Sequence, residues 1–173
     1  MIVAKKKRFE VDVPLIEEKI PVLAIDQDAI VGRIIKLDLT RLLKGKNLEA
    51  NIIIKKYNEN LVGDIISIKL LPSYIARMIR KGISYVEDSF VVEGKESQII
   101  IKPYLLTRKK VHRSVRKALR NRAREIITEF VKTKNNKEIF FAILTGNLQK
   151  ELIIKLKKIY PLTLAEIRIA KLK

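Results

Sequence analysis

The chain has 173 residues, with 37 Lys and Arg against 19 Asp and Glu, a formal charge of +18 and 47% hydrophobic residues. It has the aliphatic content for a folded core and a charge that calls for a polyanionic partner. It contains no cysteine, which excludes disulfides, thiolate metal sites and thiol catalysis and fits a reducing compartment. Acidic residues soon interrupt every aliphatic run, and no apolar segment follows the basic cluster near the N-terminus. The expectation is a cytoplasmic protein without a secretory signal or a transmembrane span.

Lys5, Lys6, Lys7 and Arg8 form a basic cluster, and residues 1–8 read as an arm that orders on a nucleic-acid partner. From Phe9 to Pro14 apolar and acidic residues alternate with period two, the pattern of a half-buried strand that Pro14 ends or confines to an edge. Ile34 to Leu39 and Leu48 to Lys55 predict two more strands, with Gly45 and Asn47 supplying the turn between them. Tyr57 to Asn60 is another turn, and Gly63 to Leu71 resumes a β-branched run. At Leu71 the period changes: Tyr74, Ile75, Met78 and Ile79 predict a short helix over 73–81, with Gly82 as its C-terminal cap.

Ser84 to Val92 and Ser97 to Lys102 predict two strands joined across Gly94, the second closed by Pro103. Thr107 is a good N-cap, and Val111, Val115, Ala118, Leu119, Ile126 and Phe130 keep helical spacing behind it, so the longest helix is expected to run to about Lys132. Two further helices are predicted over 137–144 and 148–159. Between them Gly146 ends one and Asn147 caps the next, and Pro161 stops the last. Leu164 to Leu172 predicts a final strand. With no repeat or long linker, residues 9–173 are expected to form a single α+β domain: a mixed sheet, a long basic helix and several shorter ones. Whether the sheet closes into a barrel is left open at this level.

From Ser97 to Ala123 there is no acidic residue, while Lys102, Arg108, Lys109, Lys110, Arg113, Arg116, Lys117, Arg120 and Arg122 accumulate, with Arg124 next. On a helical wheel Arg113, Lys117, Arg120 and Arg124 make one stripe, flanked by Lys109 and Lys110 and opposite the apolar face; at about 1.5 Å per residue it extends roughly 16 Å. A merely solvated face would leave unpaired like charges at i and i+4, each destabilising by a few tenths of a kcal/mol, which favours phosphate as the partner. Arg122 lands toward the apolar side and is expected to find a carboxylate or carbonyl partner or to exit at the edge, a structural role. Arg77, Arg80 and Lys81 form a second basic cluster on the short helix. Tyr74, Tyr85 and Tyr104 could stack on bases, but all three lie near apolar runs, where burial accounts for them better.

Catalysis finds no support. His112 is the only histidine, it falls at the margin of the apolar face, and no Gly-rich phosphate cradle or paired-carboxylate motif is present. Asp38, Asp64, Glu87 and Asp88 sit in separate strands or turns and read as solvated charges rather than a metal set. No catalytic, cofactor or metal site is expected.

Several segments match a known family in order. They are Gly32 and Arg33 opening a strand that ends at Asp38 and Leu39; Ser73 to Asp88; Thr107 to Lys110 with Arg113, Arg116 and Arg120 downstream; and Ile159 to Leu162. Together they cover most of the chain from about residue 30 and resemble the archaeal and eukaryotic small-subunit ribosomal protein family S-three-a-e, also called eukaryotic-type S-one. The resemblance implies a platform protein near the messenger exit, touching small-subunit ribosomal RNA and neighbouring ribosomal proteins. No membrane, small-molecule or self-association partner is expected. Only Phe9 stands for the family's aromatic pair before its first strand, and the basic N-terminal extension is short, as in an archaeal-type member. Two rivals use the same long basic helix: a free-standing protein laying it in a DNA major groove, and a membrane-surface protein laying it on anionic lipid.

Overall fold

The structure, a computed structural model, describes residues 6–43, 45–58 and 60–173. The chain separates into two compact units, one drawn from residues up to Leu37 and from Ala50–Ile66, the other from Asp38–Glu49 and Ser67–Lys173.

In the first unit β1 (Lys7–Val13) pairs antiparallel with β2 (Glu18–Ala24) from Lys7↔Ala24 to Val13↔Glu18. Its turn closes where the amides of Ile16 and Glu17 both donate to Val13 O at 3.0 Å. Strand β2 has no counterpart in the sequence reading; Pro21 within it is tolerated opposite Glu10 because β2 ends the strand path. Strands β3 (Ile34–Asp38), β4 (Leu48–Tyr57) and β5 (Asn60–Leu70) follow, β4 pairing with both of the others and β1 meeting β5 in parallel at Asp12↔Val62. Gly63 permits this approach: a Cβ there would lie 2.6 Å from Ile52 Cγ2 and 3.0 Å from Val13 Cγ2. Val11, Ala24, Ile30, Ile54 and Leu61 form the core beneath, with Phe9, Val22 and Ile35 at its margin.

The second unit holds α1 (Pro72–Met78), β6 (Tyr85–Glu87), β7 (Phe90–Glu93), β8 (Gln98–Thr107), α2 (Arg113–Thr133), α3 (Asn136–Thr145), α4 (Asn147–Leu156) and β9 (Leu162–Leu172). Strand β9 runs antiparallel to β8 from Ile99↔Leu172 to Thr107↔Leu162 and, on its other side, to the end of β5 at Ser67↔Lys171. Strands β6 and β7 share the far edge of β8. Helix α2 packs on β6, β7 and α4, and α4 also packs on β9 and α3. The expected α+β class holds. The hydrogen-bonded order β2-β1-β5-β9-β8-β6 ends in two strands that no ladder joins among the described residues, so the sheet is open rather than a barrel.

Several boundaries differ from expectation for physical reasons. Pro103 does not close its strand: its missing N–H falls at a register irregularity between Lys102 and Pro103, and β8 runs on to Thr107. Thr107 is therefore the last strand residue and not a helix cap, and α2 starts at Arg113 with His112 as its N-cap. The strand expected over 84–92 breaks into β6 and β7 where the Asp88 carboxylate accepts the Ser89 N–H at 2.9 Å. Helix α1 ends at Met78 because Ile79 is already extended, and Gly82, at φ +87°, serves the turn that follows. Gly146, at φ +78°, caps the end of α3 and the start of α4, so Asn147 is the first residue of α4 rather than its cap, and α4 ends at Leu156.

Candidate nucleic-acid interface

Helix α2 buries Leu119, Ala123, Ile126, Ile127 and Val131. Arg113, Arg116, Lys117 and Arg120 are all exposed, and so is Ala118, which periodicity assigned to the apolar face. With Tyr85, Ser114 and Asn121 the four cations line an open cleft of about 670 Å³. No ion pair answers any of the four among the described residues. The first turn of α2 has no acidic residue and His112 makes no side-chain cap. The helix thus presents unbonded N–H groups, the positive end of its dipole and basic side chains together, an arrangement that costs stability until an anion arrives.

A second cleft, about 350 Å³, is lined by Arg77, Arg80, Lys81 and Arg108 around apolar side chains that include Ile83, Leu106 and Leu164. The short-helix cluster and the start of the long basic run, 27 residues apart between Lys81 and Arg108, therefore face one hollow. Arg77 is also held locally, donating to Asn47 Oδ1 at 2.9 Å with its guanidinium 5.7 Å from the Tyr74 ring.

Between β8 and α2 runs a non-helical segment from Arg108 to His112, bent at Arg108 and Lys109 and pinned at Thr107. The buried Thr107 hydroxyl lies 2.8 Å from Ser84 O and 2.7 Å from Lys109 O and accepts the Ser84 N–H at 3.0 Å. The Val111 amide donates to Ser84 Oγ at 3.2 Å, and the Arg108 amide to Pro161 O at 3.4 Å. Lys109 and Lys110 are exposed on this ordered segment, not on the helix where the wheel placed them.

The remaining predicted residues are placed differently. Arg124, on the same stripe, already holds a carboxylate: its Nη2 lies 2.8 Å from Asp88 Oδ2, its Nε lies 3.1 Å from the same oxygen, and its guanidinium sits 5.2 Å from the Phe90 ring. Arg122 finds the expected carboxylate in Glu125 at 2.6 Å, exposed at the helix edge. Lys6 precedes β1, Lys7 and Arg8 are exposed residues of β1 in the first unit, and Lys5 lies outside the described residues. His112 is exposed rather than at a packed margin.

The tyrosines divide. Tyr104 is buried, which pushes its phenol up from the usual range, and Tyr74 is half-buried, whereas Tyr85 is 56% exposed. Sequence reasoning set Tyr85 aside with the other two; the alternation that puts Val86 in the core is the signal that turns Tyr85 outward.

The acidic candidates are each engaged elsewhere. Asp38 lies below the usual carboxylate range because the Thr40 hydroxyl and amide donate to it. Asp64 pairs with Lys55 at 3.0 Å and Glu87 with Arg168 at 3.1 Å. Among the described residues no group of three or more His, Asp or Glu could hold a metal ion, and no helix is long and apolar enough to cross a membrane.

The model of the Ribosomal S3Ae family matches residues 3–173. The chain belongs to that family. Among its relatives, the small ribosomal subunit protein eS1 of Nanoarchaeum equitans is 33% identical over 95 residues, 54% of this chain and 48% of that protein. The protein of the same name from Methanobrevibacter smithii is 27% identical over 150 residues, covering 83% and 77% of the two chains. That of Halorubrum lacusprofundi is 28% identical over 151 residues, covering 84% and 70%. The chain thus spans about half the length of the first of these relatives and about three-quarters of the other two. Three of its four family-like segments meet at the basic surface: residues 73–88 supply α1 and Tyr85, residues 107–120 the pinned segment and the start of α2, and Pro161 the carbonyl that takes the Arg108 amide.

Proposed function

We propose that this protein is a structural constituent of the small ribosomal subunit, not an enzyme. It binds small-subunit ribosomal RNA through Arg113, Arg116, Lys117 and Arg120, the pinned segment Arg108 to Lys110, and Arg77, Arg80 and Lys81, with Lys5 to Arg8 as a separate basic contact. The observation that carries the reading is the row of four exposed, unanswered cations beginning at the positive end of α2, in a chain of the Ribosomal S3Ae family. Neutralising phosphates there releases counterions, and a surface dominated by Arg and Lys reads RNA shape rather than base sequence. Family resemblance supports a place on the platform near the messenger exit, among neighbouring small-subunit proteins, in the cytoplasm and without a homo-oligomeric state.

Helix α2 has its apolar face buried against β6, β7 and α4, which weighs against the lipid-surface alternative. Sedimentation of the tagged protein from a native lysate of its source cells tests the proposal. Co-migration with small subunits at moderate salt is expected. A profile confined to the top fractions, with duplex DNA bound as tightly as structured ribosomal RNA, would overturn it in favour of free DNA binding.

A further inference from the structure

Resting on that reading of the surface as RNA-binding, we propose that the cleft beside α2 receives one unstacked RNA base, held against Tyr85 while Arg113, Arg116, Lys117 and Arg120 hold the flanking phosphates.

Tyr85 is 56% exposed although its neighbour Val86 is 3% exposed and Tyr104, with which it stacks, is 1% exposed. The two rings lie 6.2 Å apart between centroids with planes 23° from parallel. A buried ring behind an exposed one restrains the outer ring's orientation before any ligand arrives, so little conformational entropy is lost when a flat partner lands on it. The cleft that Tyr85 walls is otherwise lined by cations and by Ser114 and Asn121. Hydroxyl and amide groups both donate and accept, matching the edge of a base.

A duplex has no use for this combination, because its bases are stacked on one another and offer a protein only grooves and backbone. A lone phosphate has no use for the ring. A single-stranded nucleotide uses all of it: the π-face on Tyr85, the edge on Asn121 or Ser114, the phosphates on the arginines. The platform is a single tyrosine, so one base is accommodated and the preference among bases is weak.

The test compares the full-length protein with Tyr85→Leu, which keeps an apolar cover over Tyr104 but removes the ring, and with Tyr85→Phe, which keeps the ring. Binding is read by fluorescence anisotropy on a single-stranded RNA of about ten nucleotides, within the usual site size, and on a blunt RNA duplex of equal length. Tyr85→Leu is expected to weaken single-strand binding about tenfold while Tyr85→Phe stays near wild type, duplex binding is unchanged in both, and the salt slope does not move. A fluorescent adenine analogue in the strand, quenched on binding to the wild-type protein, supplies a readout that needs no variant. Unchanged single-strand affinity in Tyr85→Leu, an equal loss on the duplex, or tighter and equally Tyr85-dependent binding of poly-glutamate would each overturn the stacking site. Salt-dependent RNA binding indifferent to Tyr85 sinks the stacking site alone, whereas failure of the wild-type protein to bind either RNA sinks the RNA-binding reading with it.

Discussion

Single side chains in this fold do work that their type does not announce. Thr107 looks like a helix cap and is instead a buried clamp between two stretches of chain, its hydroxyl occupied by Ser84 and Lys109. Lys46 looks like one more surface cation, yet its ammonium lies 2.6 Å from the Glu166 carboxylate with only 16% and 10% of the two side chains exposed. Gln149 Nε2 is the further donor near that carboxylate, at 3.4 Å. Removing the cation strands a largely buried charge, whereas removing both charges leaves none to strand. Lys46→Met is therefore expected to cost about 2 kcal/mol in urea unfolding, intermediate between exposed and fully buried pairs. Lys46→Met combined with Glu166→Leu should recover most of that loss. A double variant as unstable as the single one would show that the pair's geometry, not its charge balance, carries the effect.

At the scale of elements, period and charge were legible in several strands and helices, but not in β2, although its burial alternates too. The strands near 34–38, 48–57 and 162–172 and the helices near 136–145 and 147–156 fall where alternation or helical spacing placed them. Helix α2 was legible in its body but not at its start. The acid-free run before Arg113 suits a helix by residue type, yet Thr107 and Ser84 hold it out of the helix. That start opposes its own dipole with Arg113, in a first turn without acids. Arg113→Glu is accordingly expected to raise stability by about 0.3–1 kcal/mol in denaturant unfolding while weakening RNA binding. A loss of stability would mean that Arg113 makes a stabilising contact in the folded protein.

At the scale of the whole molecule, the +18 charge is a field, and its consequence is a dependence on salt. Arg113→Ala combined with Arg120→Ala should leave the unfolding midpoint near its wild-type value and reduce the slope of log affinity against log salt by roughly one to two. An unchanged slope would remove this stripe from the interface. Arg124→Ala should act differently: it frees the Asp88 carboxylate, so its effect belongs first to stability. The wheel put Arg120 and Arg124 on one stripe, and only the partner supplied from the β6–β7 bend separates them.

Composition, hydrophobic period, charge distribution and ordered family-like segments already place the chain among basic α+β proteins of a ribosomal family, because each is a property of the residues in order and needs no distant partner. The open sheet, the non-helical course of the segment after Thr107 and the burial of Tyr104 behind an exposed Tyr85 were decided only by the fold. So was the gathering of Arg77, Arg80 and Lys81 with Arg108. These features depend on contacts between residues far apart in the chain, 23 for Thr107 and Ser84, 36 for Arg124 and Asp88 and 120 for Lys46 and Glu166. Local propensity carries no information about which of many distant groups will arrive beside a given side chain.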